Sequence, residues 1–163
     1  METLHLLVID DEEAMCHGIK RALRSYSVKV PDLDMEVNFC ITSALNAEQA
    51  QQTIEGDSPP DLVLLDHKLP DKTGLGVLDQ LNEKNLDLLT VVITAYASLD
   101  TAVQATKRGA YDFMAKPFTP AEIRGTIEKA ARHLITQRQA RRLAQERREV
   151  RFQFTSVLAH EMK

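Results

Sequence analysis

Leu4-His-Leu-Leu-Val-Ile-Asp-Asp11 is a short, nearly continuous apolar run that stops on two carboxylates. Such a run, apolar at successive rather than alternate positions, reads as a strand (Leu4–Ile9) buried on both faces. The same form returns at Leu62–Leu65, which ends at Asp66, and at Thr90–Ile93, which ends at Thr94. Tyr111–Met114 is a further strand, followed by Lys116-Pro117, whereas Met35–Thr42 alternates Val37, Phe39 and Ile41. Helical spacing fills the gaps. Glu12–Arg24 carries Met15, Ile19, Ala22 and Leu23 on one face, and Ala47–Ile54 is stopped by Gly56 and Pro59-Pro60. Gly74–Leu81, Leu99–Arg108 and a last helix from Thr119 complete the series. Five alternations of strand and helix predict an α/β fold, a doubly wound five-stranded parallel sheet.

The 163 residues have room for one ordinary domain and an appendage. The charge divides in the same way. Residues 1–119 hold 10 Lys+Arg against 19 Asp+Glu, and residues 120–163 hold 10 against 5. Glu2 and His5 interrupt the start, so no signal peptide is read there, and no apolar run approaches the length of a membrane span. Cys16 and Cys40 then read as reduced core thiols of a cytoplasmic protein. The histidines show no zinc-site spacing.

In doubly wound sheets the site lies beyond the carboxyl ends of the strands. Those ends carry Asp10, Asp11, Asp66, Thr94 and Lys116. Carboxylates gathered there repel one another, and Mg²⁺, which prefers hard oxygen ligands, relieves the conflict. A carboxylate beside such a cation is a nucleophile towards phosphorus, with Lys116 and Thr94 as partners for the phosphoryl oxygens. Taken alone, Asp10-Asp11 would equally suit a helix cap, and Phe113 would be a core aromatic.

Four stretches carry a resemblance: Leu7-Val-Ile-Asp-Asp-Glu-Glu13, Leu64-Leu-Asp-His-Lys-Leu-Pro-Asp-Lys-Thr-Gly74, Val92-Ile-Thr-Ala-Tyr-Ala-Ser98 and Gly109-Ala-Tyr-Asp-Phe-Met-Ala-Lys-Pro-Phe118. Together they resemble the response-regulator receiver family, of the flavour attached to nitrogen-regulatory activators, over about residues 3–135. The resemblance implies a flavodoxin-like fold and a receiver domain over residues 1–135. It makes Asp66 the phosphoacceptor, supplied by a histidine kinase or a small phosphodonor. Mg²⁺ would be held by Asp11, Asp66 and the Lys68 carbonyl, with Asp10 helping through water. Lys116 would bind phosphate, Thr94 and Phe113 would form the switch pair, and the Lys116-Pro117 bond would be cis. One departure is the long segment Ser25–Glu36, whose Val28, Val30 and Pro31 suggest an extended piece on the surface. A rival enzyme, the haloacid dehalogenase type of aspartyl-phosphate hydrolase, needs an acidic or hydroxyl residue two places after its nucleophile. Here that place is Lys68.

Residues 136–163 read as a helical linker. From Thr119 onward the only breakers are Pro120 and Gly125, near the start, which predicts about 45 residues of helix, ~67 Å if unbroken. Thr136, Ala140, Leu143, Arg147, Val150, Phe154 and Val157 recur at alternating spacings of four and three, a heptad seam that predicts a homodimer. The arginines between Arg138 and Arg151 lie mostly off that seam among Glu146 and Glu149, so a solvated face is read rather than a nucleic-acid surface. Phe154-Thr-Ser-Val-Leu-Ala-His-Glu-Met-Lys163 resembles the opening of the phosphoacceptor box of histidine kinases, with His160 as a second phosphoacceptor. By that resemblance the chain is a fragment of a hybrid sensor kinase, lacking the ATP-binding half and therefore not an autokinase by itself. A receiver with a plain dimerising stalk is the alternative.

Overall fold

The computed structural model describes residues 2–95 and 98–161, with side chains as far as residue 153. Six strands and five helices follow one another along these residues: β1 (Glu2–Ile9), α1 (Glu13–Leu23), β2 (Val28–Val30), β3 (Met35–Ala44), α2 (Ala47–Ile54), β4 (Leu62–Asp66), α3 (Gly74–Glu83), β5 (Leu89–Thr94), α4 (Leu99–Lys107), β6 (Asp112–Ala115) and α5 (Pro120–Glu161). The sheet order is β2-β3-β1-β4-β5-β6. Five of the strands run parallel, as expected.

The sixth strand corrects the reading of Ser25–Glu36. Val28–Val30 pairs antiparallel with Met35–Val37, and both valines are buried rather than lying on the surface. The alternation Val-Lys-Val places two apolar side chains on one face, and the strand covers part of an otherwise open β3 edge. A 3-10 turn, Pro31–Leu33, closes the hairpin.

The central strands are buried on both faces, which explains their continuous apolar runs. Leu6, Leu7, Val8 and Ile9 of β1 and Leu62–Leu65 of β4 are all buried. Whereas α4 buries only Ala105, three helices offer an apolar face to the sheet: Cys16, Ile19, Ala22 and Leu23 from α1, Ala50 and Ile54 from α2, and Val77, Leu78 and Leu81 from α3. Ile123, Ile127, Ala130 and Ala131 do the same at the start of α5. The starts of α2, α3, α4 and α5 are built by short polar side chains. Asn46, Thr73 and Ser98 each accept a first-turn amide, and at α5 the Thr119 hydroxyl accepts the Glu122 amide and donates to the Glu122 carboxylate, with Pro120 at the first helical position. Cys16 is buried, but Cys40 is exposed on the stretch of β3 beyond its pairing with β2, so the two thiols are not both in the core.

The chain divides into two compact units, Met1–Ala131 and Arg132–Lys163, the second consisting of the distal part of α5. Among the described residues no helix is long and apolar enough to cross a membrane.

Candidate functional site: a lysine-bridged carboxylate cluster

β1 lies between β3 and β4, and the chain winds first to one side of it and then to the other. The carboxyl ends of β1 and β4 are therefore the topological switch point. Asp10 follows β1 directly, with its amide donating to the Ala44 carbonyl at 3.0 Å, and is fully buried. Asp66 is the last residue of β4 and is 6% exposed. Thr94 ends β5 at 1% exposure, and the amide of Lys116 donates to its carbonyl at 2.8 Å. That bond carries the β6 end across to β5 and brings the lysine to the site. The Lys116-Pro117 peptide is cis, as the resemblance implied.

Lys116 gathers the carboxylates. Its Nζ lies 2.7 Å from Asp10 Oδ2, 3.4 Å from Asp66 Oδ2 and 3.7 Å from Glu12 Oε1. Burial pushes the Asp66 carboxyl above its ordinary value, and the charge of Asp10 adds to this, while Lys116 pulls the other way. Burial alone would lower the Lys116 ammonium. The hydrogen bond to Asp10 and the charges of Asp10, Asp66 and Glu12 outweigh it, so Lys116 ends above its ordinary value.

Asp10, Asp11 and Glu12 each bring a carboxylate oxygen within 4.8 Å of the other two. Three hard oxygen donors in that space suit Mg²⁺. Glu12 was not anticipated as part of the site; its signal was its place directly after the two aspartates. Asp66 joins the group through the lysine. Asp10 also accepts the Glu12 amide at 2.9 Å, but Glu12 precedes α1 and no side chain caps the first-turn amides of that helix, so the helix-cap reading of Asp10-Asp11 does not hold. Lys68 is exposed and donates its amide to Asp66 Oδ1 at 3.4 Å. Phe113 is half-buried against the core cluster, three residues before Lys116.

The segment that follows Asp66 requires a glycine at its end. A Cβ on Gly74 would stand 2.2 Å from the Asp66 carbonyl oxygen, and the Gly74 amide donates to the His67 carbonyl at 2.7 Å. His160 lies on α5, but its side chain, like those of Phe154 and Val157, is outside the described residues.

A doubly wound parallel sheet with an acidic pocket and a lysine at its strand ends is the arrangement of a receiver domain, a fold class whose members generally bind Mg²⁺ in that pocket and take phosphoryl groups from histidine kinases. The chain belongs to the response regulator receiver domain family, which it matches over residues 6–128. It is 41% identical over 109 residues to the regulatory protein LuxO of Vibrio cholerae, covering 67% of this chain and 22% of LuxO. It is 30% identical over 139 residues to the DNA-binding transcriptional regulator NtrC of Proteus hauseri, covering 85% of this chain and 27% of that one. Among solved structures it resembles a CheY-like receiver domain from Methanospirillum hungatei, with TM-score 0.67, 25% identity and coverage of 85% and 99%. It also resembles NtrX from Brucella abortus, with TM-score 0.73, 30% identity and coverage of 88% and 30%. The chain thus spans about a quarter of the length of LuxO and NtrC. These relatives are regulators, and membership of the receiver family displaces the haloacid dehalogenase reading.

Proposed function

We propose that Asp66 is the phosphoacceptor of this receiver. The observation that carries the reading is the Lys116 ammonium set between the buried carboxylates of Asp10 and Asp66, at the ends of three strands. A carboxylate oxygen of Asp66 attacks the phosphorus of a phosphohistidine or an acyl phosphate. The new O–P bond forms as the donor's N–P or O–P bond breaks, and the electron pair leaves with the imidazole or carboxylate. Lys116 then donates from its ammonium to a phosphoryl oxygen, and Thr94 from its hydroxyl. Asp11, Asp66 and the Lys68 carbonyl would hold Mg²⁺, with Asp10 and Glu12 assisting beside them. When bound, the ion neutralises charge on the phosphoryl oxygens. Acetyl phosphate with Mg²⁺ tests the reading: one hydroxylamine-sensitive phosphoryl group per chain is expected, and none on Asp66→Asn.

Thr94 and Phe113 serve as the switch pair. Thr94 closes on the phosphoryl group, and Phe113, already half-buried, turns further in behind it. Beryllofluoride should slow amide exchange in α4 and β6 of the native chain, and Thr94→Ala should bind the mimic without that response. Equal responses in both would leave Thr94 as a site hydroxyl only.

For residues 136–163 the reading is a dimerising helix. Leu143 and Val150, both seam positions, are 44% and 66% exposed on a helix that has no second element in its own unit to cover them. Sedimentation should find the whole chain dimeric and a chain cut after Leu134 mostly monomeric. A monomer at high concentration would rule out the seam. Arg147 at a core-type position sets the affinity below that of a fully apolar seam. The resemblance of Phe154–Lys163 to a kinase phosphoacceptor box supports His160 as a second acceptor, coupled to Asp66 through α5. The product of the full gene should then label His160 from ATP, and His160→Gln should abolish that label. Label undiminished in His160→Gln leaves the tail as a plain stalk.

A further inference from the structure

The segment His67–Thr73 leaves β4 beside the carboxylates and returns to start α3. Its base is closed by backbone contacts. Lys68 and Thr73 face each other in an antiparallel bridge, and the Gly74 amide donates to the His67 carbonyl. Its far end carries Asp71, whose two carboxylate oxygens accept the amides of Ala47 at 2.9 Å and Glu48 at 3.1 Å, in the first turn of α2. The next amide, of Gln49, goes to the N-cap side chain of Asn46 at 2.8 Å. Ordinarily the cap residue and water satisfy the first amides of a helix. Here two are held by a carboxylate 24 positions further along the chain. The amide of Ala47 is the largest cause of the Asp71 carboxyl lying below its ordinary range.

The start of α2 is itself tied to the site. β3 ends at Ala44, whose carbonyl accepts the Asp10 amide, and the Leu45 amide donates to Gln49 Oε1 at 2.8 Å. The backbone at Asp10 and the backbone of His67–Thr73 are thus both referred to one helix start. We propose that Asp71 is a positioning residue for the metal site: by clamping the segment after Asp66 to the start of α2, it holds the Lys68 backbone in register with Asp10, Asp11 and Asp66. The inference rests on the assignment of Asp11, Asp66 and the Lys68 carbonyl as the metal-holding groups. A cap alone would stabilise α2 and leave metal affinity untouched.

Mn²⁺, followed by electron paramagnetic resonance, is the probe, with native chain, Asp71→Ala, Asp71→Asn and Asp11→Asn compared in the same buffer. Asp71→Ala should bind Mn²⁺ roughly tenfold more weakly, the scale of losing a group that orients a metal ligand. Asp71→Asn keeps one acceptor oxygen without the charge and should recover part of the loss. Native affinity in Asp71→Ala, with only a lower unfolding midpoint, makes Asp71 a cap and overturns the inference. Affinity as weak in Asp71→Asn as in Asp71→Ala assigns the effect to charge alone and overturns it too. Should the alanine variant not fold, Asp71→Asn decides: a loss of less than about tenfold supports the inference, and native binding or a full tenfold loss overturns it. Asp11→Asn is the control for the underlying reading, because native Mn²⁺ affinity there would sink the metal assignment itself rather than the role of Asp71.

Discussion

Asp66→Asn should reduce phosphoryl incorporation from acetyl phosphate to background, and at pH 7 it should unfold at a higher temperature than the native chain. The first effect follows from chemistry, since a neutral amide has no carboxylate oxygen to attack phosphorus. The second follows from the cluster. Burial, and then the charge of Asp10, raise the Asp66 carboxyl above its unfolded value of 3.8. A carboxyl raised on folding contributes stability that is complete below the unfolded value and is lost as pH climbs through the folded one. At neutral pH the ionised Asp66 therefore opposes folding, and the amide removes that cost. Thermal scans at pH 7 and pH 3.5 separate the cases, the gain being expected only at pH 7. Label at the native level on Asp66→Asn would move the acceptor elsewhere. A lower midpoint at pH 7 would mean that the pairing with Lys116 outweighs the repulsion.

The residues at the strand ends were legible because a parallel sheet leaves little choice. Strands buried on both faces announce themselves as apolar runs, and the first polar residue after each run must emerge at the carboxyl edge. That logic alone places Asp10, Asp66, Thr94 and Lys116 at one edge of the sheet. β2 was harder. Val28, Val30 and Pro31 do suggest an extended piece, but three residues, Val28–Val30, are too short to show a period, so neither the burial of the valines nor the 3-10 turn that Pro31 starts is legible. Cys40 misled because burial of cysteine is a tendency of the residue type, not of an edge strand. Asp71 left no local signal at all, since its partners are amides of a distant helix start and backbone amides have no sequence. Phe113 is only partly buried against the core cluster, so its packing fits the core reading without using up its whole surface.

Lys116→Met should be the most destabilising single change in the site. The Lys116 side chain is 8% exposed, and those of its partners Asp10 and Asp66 are 0% and 9% exposed. Methionine keeps the length of the stem and removes the charge, leaving two buried carboxylates facing each other. Breaking a buried pair from one side costs roughly 3–5 kcal/mol, because the remaining charge is stranded, and on a domain of this size that lowers the midpoint by about 10 °C or more. Lys116 itself does not titrate over the useful range. Its value is raised above 10.5, so its contribution is complete below that pH and is lost only as pH rises through the folded value. The pH dependence of the difference between variant and native chain therefore comes from the carboxylates. As pH falls, Asp66 protonates earlier than an ordinary aspartate, the repulsion disappears, and the two midpoints should converge. Adding Asp66→Asn to Lys116→Met should restore part of the loss at pH 7, a coupling that two independent sites would not show. A Lys116→Met chain as stable as the native one at pH 7, or a deficit that stays the same down to pH 4, would reduce Lys116 to a packing residue and remove the bridge on which the assignment of Asp66 rests.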